Sequence, residues 1–195
     1  MARPRAADYD DKRNLIMEKA ALLFARDGFA ATSLSGLAEA CGVSKSLIYH
    51  YYPSKEAILY DVMRGHMDDL LSAIDAEIPV ARSDAASRFR SFTRELLRRY
   101  TGAADKQKVL LYELGNLPAA QHEDIVEKQR RLIDFVVSLL AAAPEAAKNR
   151  PRLRAKAMLY FGMLNWTHTW FRPDGPVSRD AVADLAAELV LGSLG

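Results

Sequence analysis

Between Ser44 and Lys55 the chain reads Ser-Lys-Ser-Leu-Ile-Tyr-His-Tyr-Tyr-Pro-Ser-Lys, a dense run of hydroxyl, ammonium and imidazole groups. Donors at that density suit phosphate oxygens, which fix a protein on a duplex, and the acceptor edges of bases, which are read. Other chemistry finds no comparable cluster. His50, His66, His122 and His168 are far apart in sequence, and no HExxH, GxSxG, P-loop or paired-cysteine pattern occurs. His66 and Asp69 stand i, i+3 on one helical pattern, but two ligands are too few for a metal site. The sequence thus offers no catalytic residue, no metal and no cofactor.

An all-α framework is expected to position these donors. Half of the residues are apolar, ten are glycine, and strand-type Val/Ile/Thr runs are scarce. The first ten residues, with Arg3, Pro4 and Arg5, read as a mobile basic arm. A helix follows from about Asp11 to Asp27, ended by Gly28 at a left-handed position. Thr32 or Ser33 caps a second helix that turns Leu34, Leu37 and Ala38 inward, and Gly42 breaks it. Ser44 caps a third, which Pro53 stops after about two turns. Three short helices with a glycine turn between the last two make a helix-turn-helix pattern over 8–53.

Residues 54–195 read as a helical bundle. Ser54 caps a long helix from Lys55 to about Ile74, and further helices cover Asp84–Thr101 (ended by Gly102), Ala104–Leu114 (ended by Gly115 and Pro118), Ala119–Ala143, Pro151–Phe171 and, after a Ser178 cap, a last one to Leu191. Only Cys41 is available to disulfide chemistry, which suits a reducing cytoplasm. No secretory pattern opens the chain and no apolar run approaches the about 20 residues of a membrane span. Net charge is +2, and all of it lies in the first 55 residues, so charge alone says little about partners.

On the third helix, Ile48 and Tyr52 are spaced i, i+4 and are expected to face the core, with Val43 in the turn before it. Lys45, Ser46, Tyr49 and His50 then project outward, Lys45 and His50 as donors to base acceptors and Ser46 toward either strand. The hydroxyls of Tyr49 and Tyr51 suit phosphates, and Thr32, Ser33, Ser44 and Lys55 at helix starts would add backbone contacts. The alternatives are tyrosines packed between helices, a surface His50 and a solvated Lys55. Leu47 meets a thymine methyl if it points outward, and rotates the reading face if it points inward.

Several strings carry a resemblance: Ala20-Ala21-Leu22-Leu23-Phe24, Gly28-Phe29, Thr32-Ser33-Leu34, Leu37 through Lys45, and Ile48-Tyr49-His50-Tyr51-Tyr52-Pro53-Ser54-Lys55-Glu56-Ala57. From Ile16 to Leu59 the chain resembles the DNA-binding domain of the tetracycline-repressor (TetR) family. Leu47 departs from the small or hydroxyl residue often found there, and Gly36 inside the second helix is also unusual. The resemblance implies a homodimer that binds a palindromic operator as a repressor and is released by a small hydrophobic effector. A TetR-type activator and a ligand-independent DNA-binding protein are the alternatives.

The same resemblance implies a dimer built from the last two helices, and the apolar, nearly all-round surface of 151–171 agrees with burial on both sides. The large side chains offered to an effector are Met63, Phe89, Phe92, Leu96, Tyr112, Phe135, Tyr160, Met163, Trp166 and Trp170, with Asn165, Thr167 and His168 as polar groups. Plain core is the competing role for most of them. The stretch from Trp166 to Pro176 is similar to that of family members that respond to acyl-CoA thioesters. Lys148, Arg150, Arg152, Arg154 and Lys156 crowd a helix start, where neighbouring acids or the phosphates of a CoA would offset the unfavourable dipole.

Overall fold

The computed structural model describes residues 3–77, 84–143 and 151–194, which hold helices and no strand. In chain order these are α1 (Arg3–Asp27), α2 (Leu34–Cys41), α3 (Lys45–Tyr51), α4 (Lys55–Glu77), α5 (Ala85–Gly102), α6 (Ala104–Tyr112), α7 (Ala119–Ala141), α8 (Leu153–Trp170) and α9 (Arg179–Gly192), with a 3-10 turn at Leu114–Asn116. No helix among the described residues is long and apolar enough to cross a membrane.

Local chemistry sets most of the boundaries. The Ser33 hydroxyl accepts from Gly36 N at 3.0 Å, Ser44 from Leu47 N at 3.2 Å, Ser54 from Ala57 N at 3.1 Å and Ser178 from Ala181 N at 3.2 Å. Each satisfies an amide that the first turn leaves without a partner. Gly28 and Gly42 take φ of +86° and +65°, the left-handed conformation that lets the chain reverse after α1 and α2. Two expectations are corrected. Residues 3–10 are the first turns of α1 and not an arm, because Pro4 sits in a first turn whose amides have no helical partner anyway. Gly102 lies inside α5, which Ala103 closes instead. The side chains of Arg3 and Arg5, and residues Lys148 and Arg150, lie outside what the structure describes.

The chain divides into two compact units, Met1–His66 with Asp105–Ile125 and Met67–Ala104 with Val126–Gly195. The boundary read at 53/54 from the sequence falls at the start of α4, whereas this division carries the first half of α4 and the 105–125 stretch with the helix-turn-helix. The first unit encloses Ile16, Ala20, Phe24, Leu37, Ile48, Ile58, Leu59 and Met63, each at most 1% exposed. Residues 105–125 join it through polar pairs: His66 Nε2 with Gln107 Oε1 at 2.7 Å, Tyr60 donating to Asp124 at 3.0 Å, and Lys106 with Glu18.

The second unit is built on an aromatic cluster. Phe89 and Tyr160 stand 5.1 Å apart between ring centres, and Phe92 and Phe135 5.0 Å, spacings at which ring edges meet ring faces. The Tyr160 hydroxyl, fully enclosed, donates to Thr93 Oγ1 at 3.1 Å, and Thr93 donates to its own helix at Phe89 O. Burial pushes the Tyr160 phenol far above its ordinary range, so it stays a neutral donor.

Candidate nucleic-acid interface

Seven residues make up α3, too few to hold a direction without anchors. Ser44 caps its start and also shares a 2.9 Å hydrogen bond with Ser46 Oγ. Ile48 is fully buried and Tyr52, the residue that closes the helix, is 5% exposed. On the opposite side Lys45, Ser46, Tyr49 and His50 are exposed. Leu47 is half-buried, between the two faces. Lys45 Nζ lies 6.0 Å above the Tyr49 ring, a loose cation–π contact that leaves the ammonium open to solvent. Tyr51 is half-buried: its ring stacks on Tyr9 of α1 at 4.6 Å and meets His50 edge-on at 5.4 Å. A short, polar, outward face on a helix pinned by apolar side chains is what major-groove insertion requires.

Two of the named donors are turned inward. Thr32 is 6% exposed and its hydroxyl donates to Gly28 O at 2.9 Å. Lys55 does not reach out from the start of α4. Its ammonium donates to Phe29 O at 2.7 Å and Thr32 O at 2.9 Å, and sits 4.2 Å from the Phe29 ring centre. The α1–α2 turn exposes carbonyls that no helix satisfies, and a cation on a flexible stem settles there. Ser33 stays exposed; its hydroxyl oxygen accepts the α2 cap bond from Gly36 N, which leaves its O–H able to donate outward.

The sequence reading missed the polar centre behind this face. The Asp61 side chain is 8% exposed and accepts from Tyr52 Oη at 2.6 Å, Arg13 at 2.5 Å and Arg64 at 2.8 Å. Burial alone would raise its pKa, but the bonds from Tyr52 and Arg64 and the charge of Arg13 hold it below the usual carboxylate range. Burial and the same carboxylate push the Tyr52 phenol upward. A signal was available: Asp61 is an ionisable residue inside the apolar stripe of Ile58, Leu59, Val62 and Met63.

The residues offered to an effector are scattered. Met63 is buried in the first unit, and Tyr112, also there, is 57% exposed and lines no interior. Phe89, Phe92, Leu96 and Tyr160 are buried in the second unit, and Phe135 is half-buried against Phe92. Trp166 and Trp170 are 62% and 51% exposed, and with Met163, Val182, Leu185 and Leu189 they line an open apolar groove of about 380 Å3 along α8 and α9. An apolar helix surface does not tell from sequence what will cover it. Thr167 and His168 bond to carbonyls of their own helix, Leu164 O and Asn165 O, both at 2.6 Å. In the basic cluster Arg154 pairs with Asp134 at 2.6 Å and Lys156 donates to Ser193 O. Neighbouring groups offset these two charges.

Residues 16–62 match the bacterial regulatory proteins of the tetR family, and residues 82–194 match the tetracyclin repressor-like C-terminal domain. The chain belongs to the TetR family. It is a helix-turn-helix transcriptional regulator and not an enzyme, and α2–α3 with their glycine turn lie within the matched N-terminal segment. The transcriptional repressor KstR2 of Rhodococcus jostii is 25% identical over 200 residues, spanning 100% of this chain and 98% of that protein. A TetR-family regulator from Bordetella parapertussis superposes with a TM-score of 0.85 at 39% identity, over 92% of this chain and 93% of that one. AibR, in a crystal structure with isovaleryl coenzyme A and operator DNA, shares the TetR fold at a TM-score of 0.78 and 24% identity, over 91% and 97% of the two chains.

Proposed function

We propose that this TetR-family regulator is a repressor that binds a palindromic operator as a homodimer and is released by a small hydrophobic effector. The observation that carries the reading is the division of α3, with Ile48 and Tyr52 held inside and Lys45, Ser46, Tyr49 and His50 outside. In this reading Lys45, Ser46 and His50 meet base edges, Tyr49, Tyr51 and Ser33 meet phosphates, and Leu47 lies at the edge of the contact. Ser44 holds the start of the helix. One such helix buries too little surface for useful specificity, so two half-sites about 34–36 Å apart are needed.

A second copy is also what the apolar face of α8 and α9 requires. Leu159, Met163, Trp166 and Trp170 fall at i, i+4, i+7 and i+11, and Leu185 and Leu189 continue the surface on α9. Leu159 is 71% exposed, Leu185 57% and Leu189 58%, apolar surface that water disfavours. Covered by its twin it becomes the centre of an interface.

Acyl-CoA thioesters are the effector class we favour, supported by the likeness to AibR, whose structure holds isovaleryl coenzyme A. Effector binding is relayed through α4, a single helix from Lys55 to Glu77 that carries both Lys55 and Asp61. A shift of a few kcal/mol suffices, since every 1.4 kcal/mol is about tenfold in affinity. The test starts from duplexes that the wild-type chain selects from a randomised pool, followed by anisotropy titrations with and without acyl-CoA esters. The expected result is a two-fold symmetric sequence, bound by two copies and released by an ester that also raises the melting temperature. A chain that enriches no sequence, or binds as a monomer, would sink the repressor reading. A selected duplex that no ester or hydrophobic acid displaces would sink the effector half alone.

A further inference from the structure

We infer that Asp61 is a positioning residue for DNA reading: its buried carboxylate, gripped by Tyr52, Arg13 and Arg64, fixes the C-terminal end of α3 against α1 and α4. This rests on the reading of α3 as the groove-entering helix. The donors come from three places in the chain. Arg64 is one turn further along α4 and already places a guanidinium 2.8 Å from Asp61 Oδ1. Arg13 of α1 and the hydroxyl of Tyr52 both reach Oδ2, at 2.5 and 2.6 Å. A carboxylate in such a place is a poor source of stability, because a well-packed apolar group of the same size often does as well; what a buried charge adds, where it adds anything, is a unique geometry.

Tyr52 is the point of attachment. It directly follows the last residue of α3, and its amide donates to Ile48 O at 2.9 Å, so its backbone continues the helix end. Its hydroxyl is bonded at the other extreme of the side chain, to Asp61. The ring is thereby held at both ends, and the helix termination is set by a point on α4. The start of α3 has the Ser44 cap, its middle has Ile48, an apolar contact that permits rotation, and at its far end the Tyr51 ring stacks on Tyr9 of α1 at 4.6 Å. Of the two contacts at the far end, the Tyr52–Asp61 hydrogen bond is the directional one, where an apolar or stacking contact leaves more freedom. Lys45 and Ser46 sit at one end of α3 and His50 near the other, so a tilt about Ile48 moves them in opposite senses and cannot be absorbed by sliding the whole unit along a groove.

The experiment uses the full chain and two variants, Tyr52→Phe and Asp61→Asn. Amide exchange is followed in the free protein. Affinity is then measured for the duplex selected by the wild type and for a scrambled duplex of equal length, at one salt concentration. Tyr52→Phe keeps the ring in place, so it remains folded even where Asp61→Asn does not, and it decides the matter. We expect the amides of Ile48 to Tyr52 to exchange about tenfold faster while those of α2 are unchanged, and affinity for the selected duplex to fall about tenfold with the scrambled duplex unaffected. Fewer folded molecules would weaken both duplexes by one factor, so a parallel loss assigns Asp61 to stability alone and overturns the proposal. Unchanged exchange in α3 overturns it as well. A wild-type chain with no duplex preference would refute the DNA reading, while the exchange data still decide whether Asp61 anchors α3.

Discussion

Lys55 separates two uses of one positive charge. Replace it with methionine, which keeps the length of the stem and removes the ammonium. In the structure that ammonium makes two bonds under 3 Å to the carbonyls of Phe29 and Thr32 and lies over the Phe29 ring. Hydrogen bonds to a charged group contribute about 1.5–3 kcal/mol, and a partly exposed cation–π contact about 0.5–1 kcal/mol. Lys55 is half-buried and its two carbonyl bonds share one desolvation cost, so a total of about 2–3 kcal/mol is reasonable. For a chain of this size that corresponds to a fall in Tm of roughly 4–12 °C. Urea titration and calorimetry read the stability, and operator titration over a range of salt reads the charge. A lysine spent inside the fold leaves the slope of log K against log salt unchanged. A phosphate-bound lysine does the reverse: stability stays, and the slope falls by about 0.9. Wild-type stability together with a shallower slope would refute the internal clamp.

Gly36 is exposed within α2, and a Cβ there would lie 3.4 Å from Ser33 Oγ, an ordinary contact, so Gly36→Ala is expected to stabilise by up to about 1 kcal/mol in a denaturant titration. Leu189→Glu places a charge on the α8–α9 face and is expected to convert dimers to monomers in light scattering with little change in helix content; an unchanged mass would count against that face as the interface. The depressed pKa of Asp61 means its stabilisation is present above the ordinary carboxylate value of 3.8 and is lost as pH falls through the lower folded value. Unfolding free energy between pH 5 and 2 should therefore drop more steeply in the wild type than in Asp61→Asn, and parallel curves would show that the carboxylate carries no such linkage.

How much of this was legible depends on the distance over which each residue finds its partner. Ser33, Ser44, Ser54 and Ser178 act on amides three residues away, and Gly28 and Gly42 act through their own φ, so the helix boundaries could be read locally. Ile48 and Tyr52 were legible as inward because a two-turn helix on a domain surface has one buried side. Lys55 and Thr32 were not, because the carbonyls that claim them lie in the turn between α1 and α2, where the sequence shows only that a turn exists. Asp61 showed in the sequence as a charge within an apolar stripe, but that its partners are residues 13 and 52 is a coincidence that no periodicity reports. Trp166 and Trp170 mark a different limit. Their helix is apolar nearly all round, and sequence cannot assign each side to the chain's own core or to a second molecule.

The stack of Tyr9 on Tyr51 changes what counts as a portable module. The stretch that matches the family's N-terminal model runs from residue 16 to 62, and a chimaera cut at those limits carries α2 and α3 whole. It would leave behind the ring that supports Tyr51, the guanidinium of Arg13 that grips Asp61, and the 105–125 stretch that closes on Glu18, Tyr60 and His66. With α3 as the proposed reader, specificity is expected to travel with two separate pieces of chain, and a fusion that begins at Tyr9 and includes 105–125 should retain discrimination that one beginning at Ile16 loses.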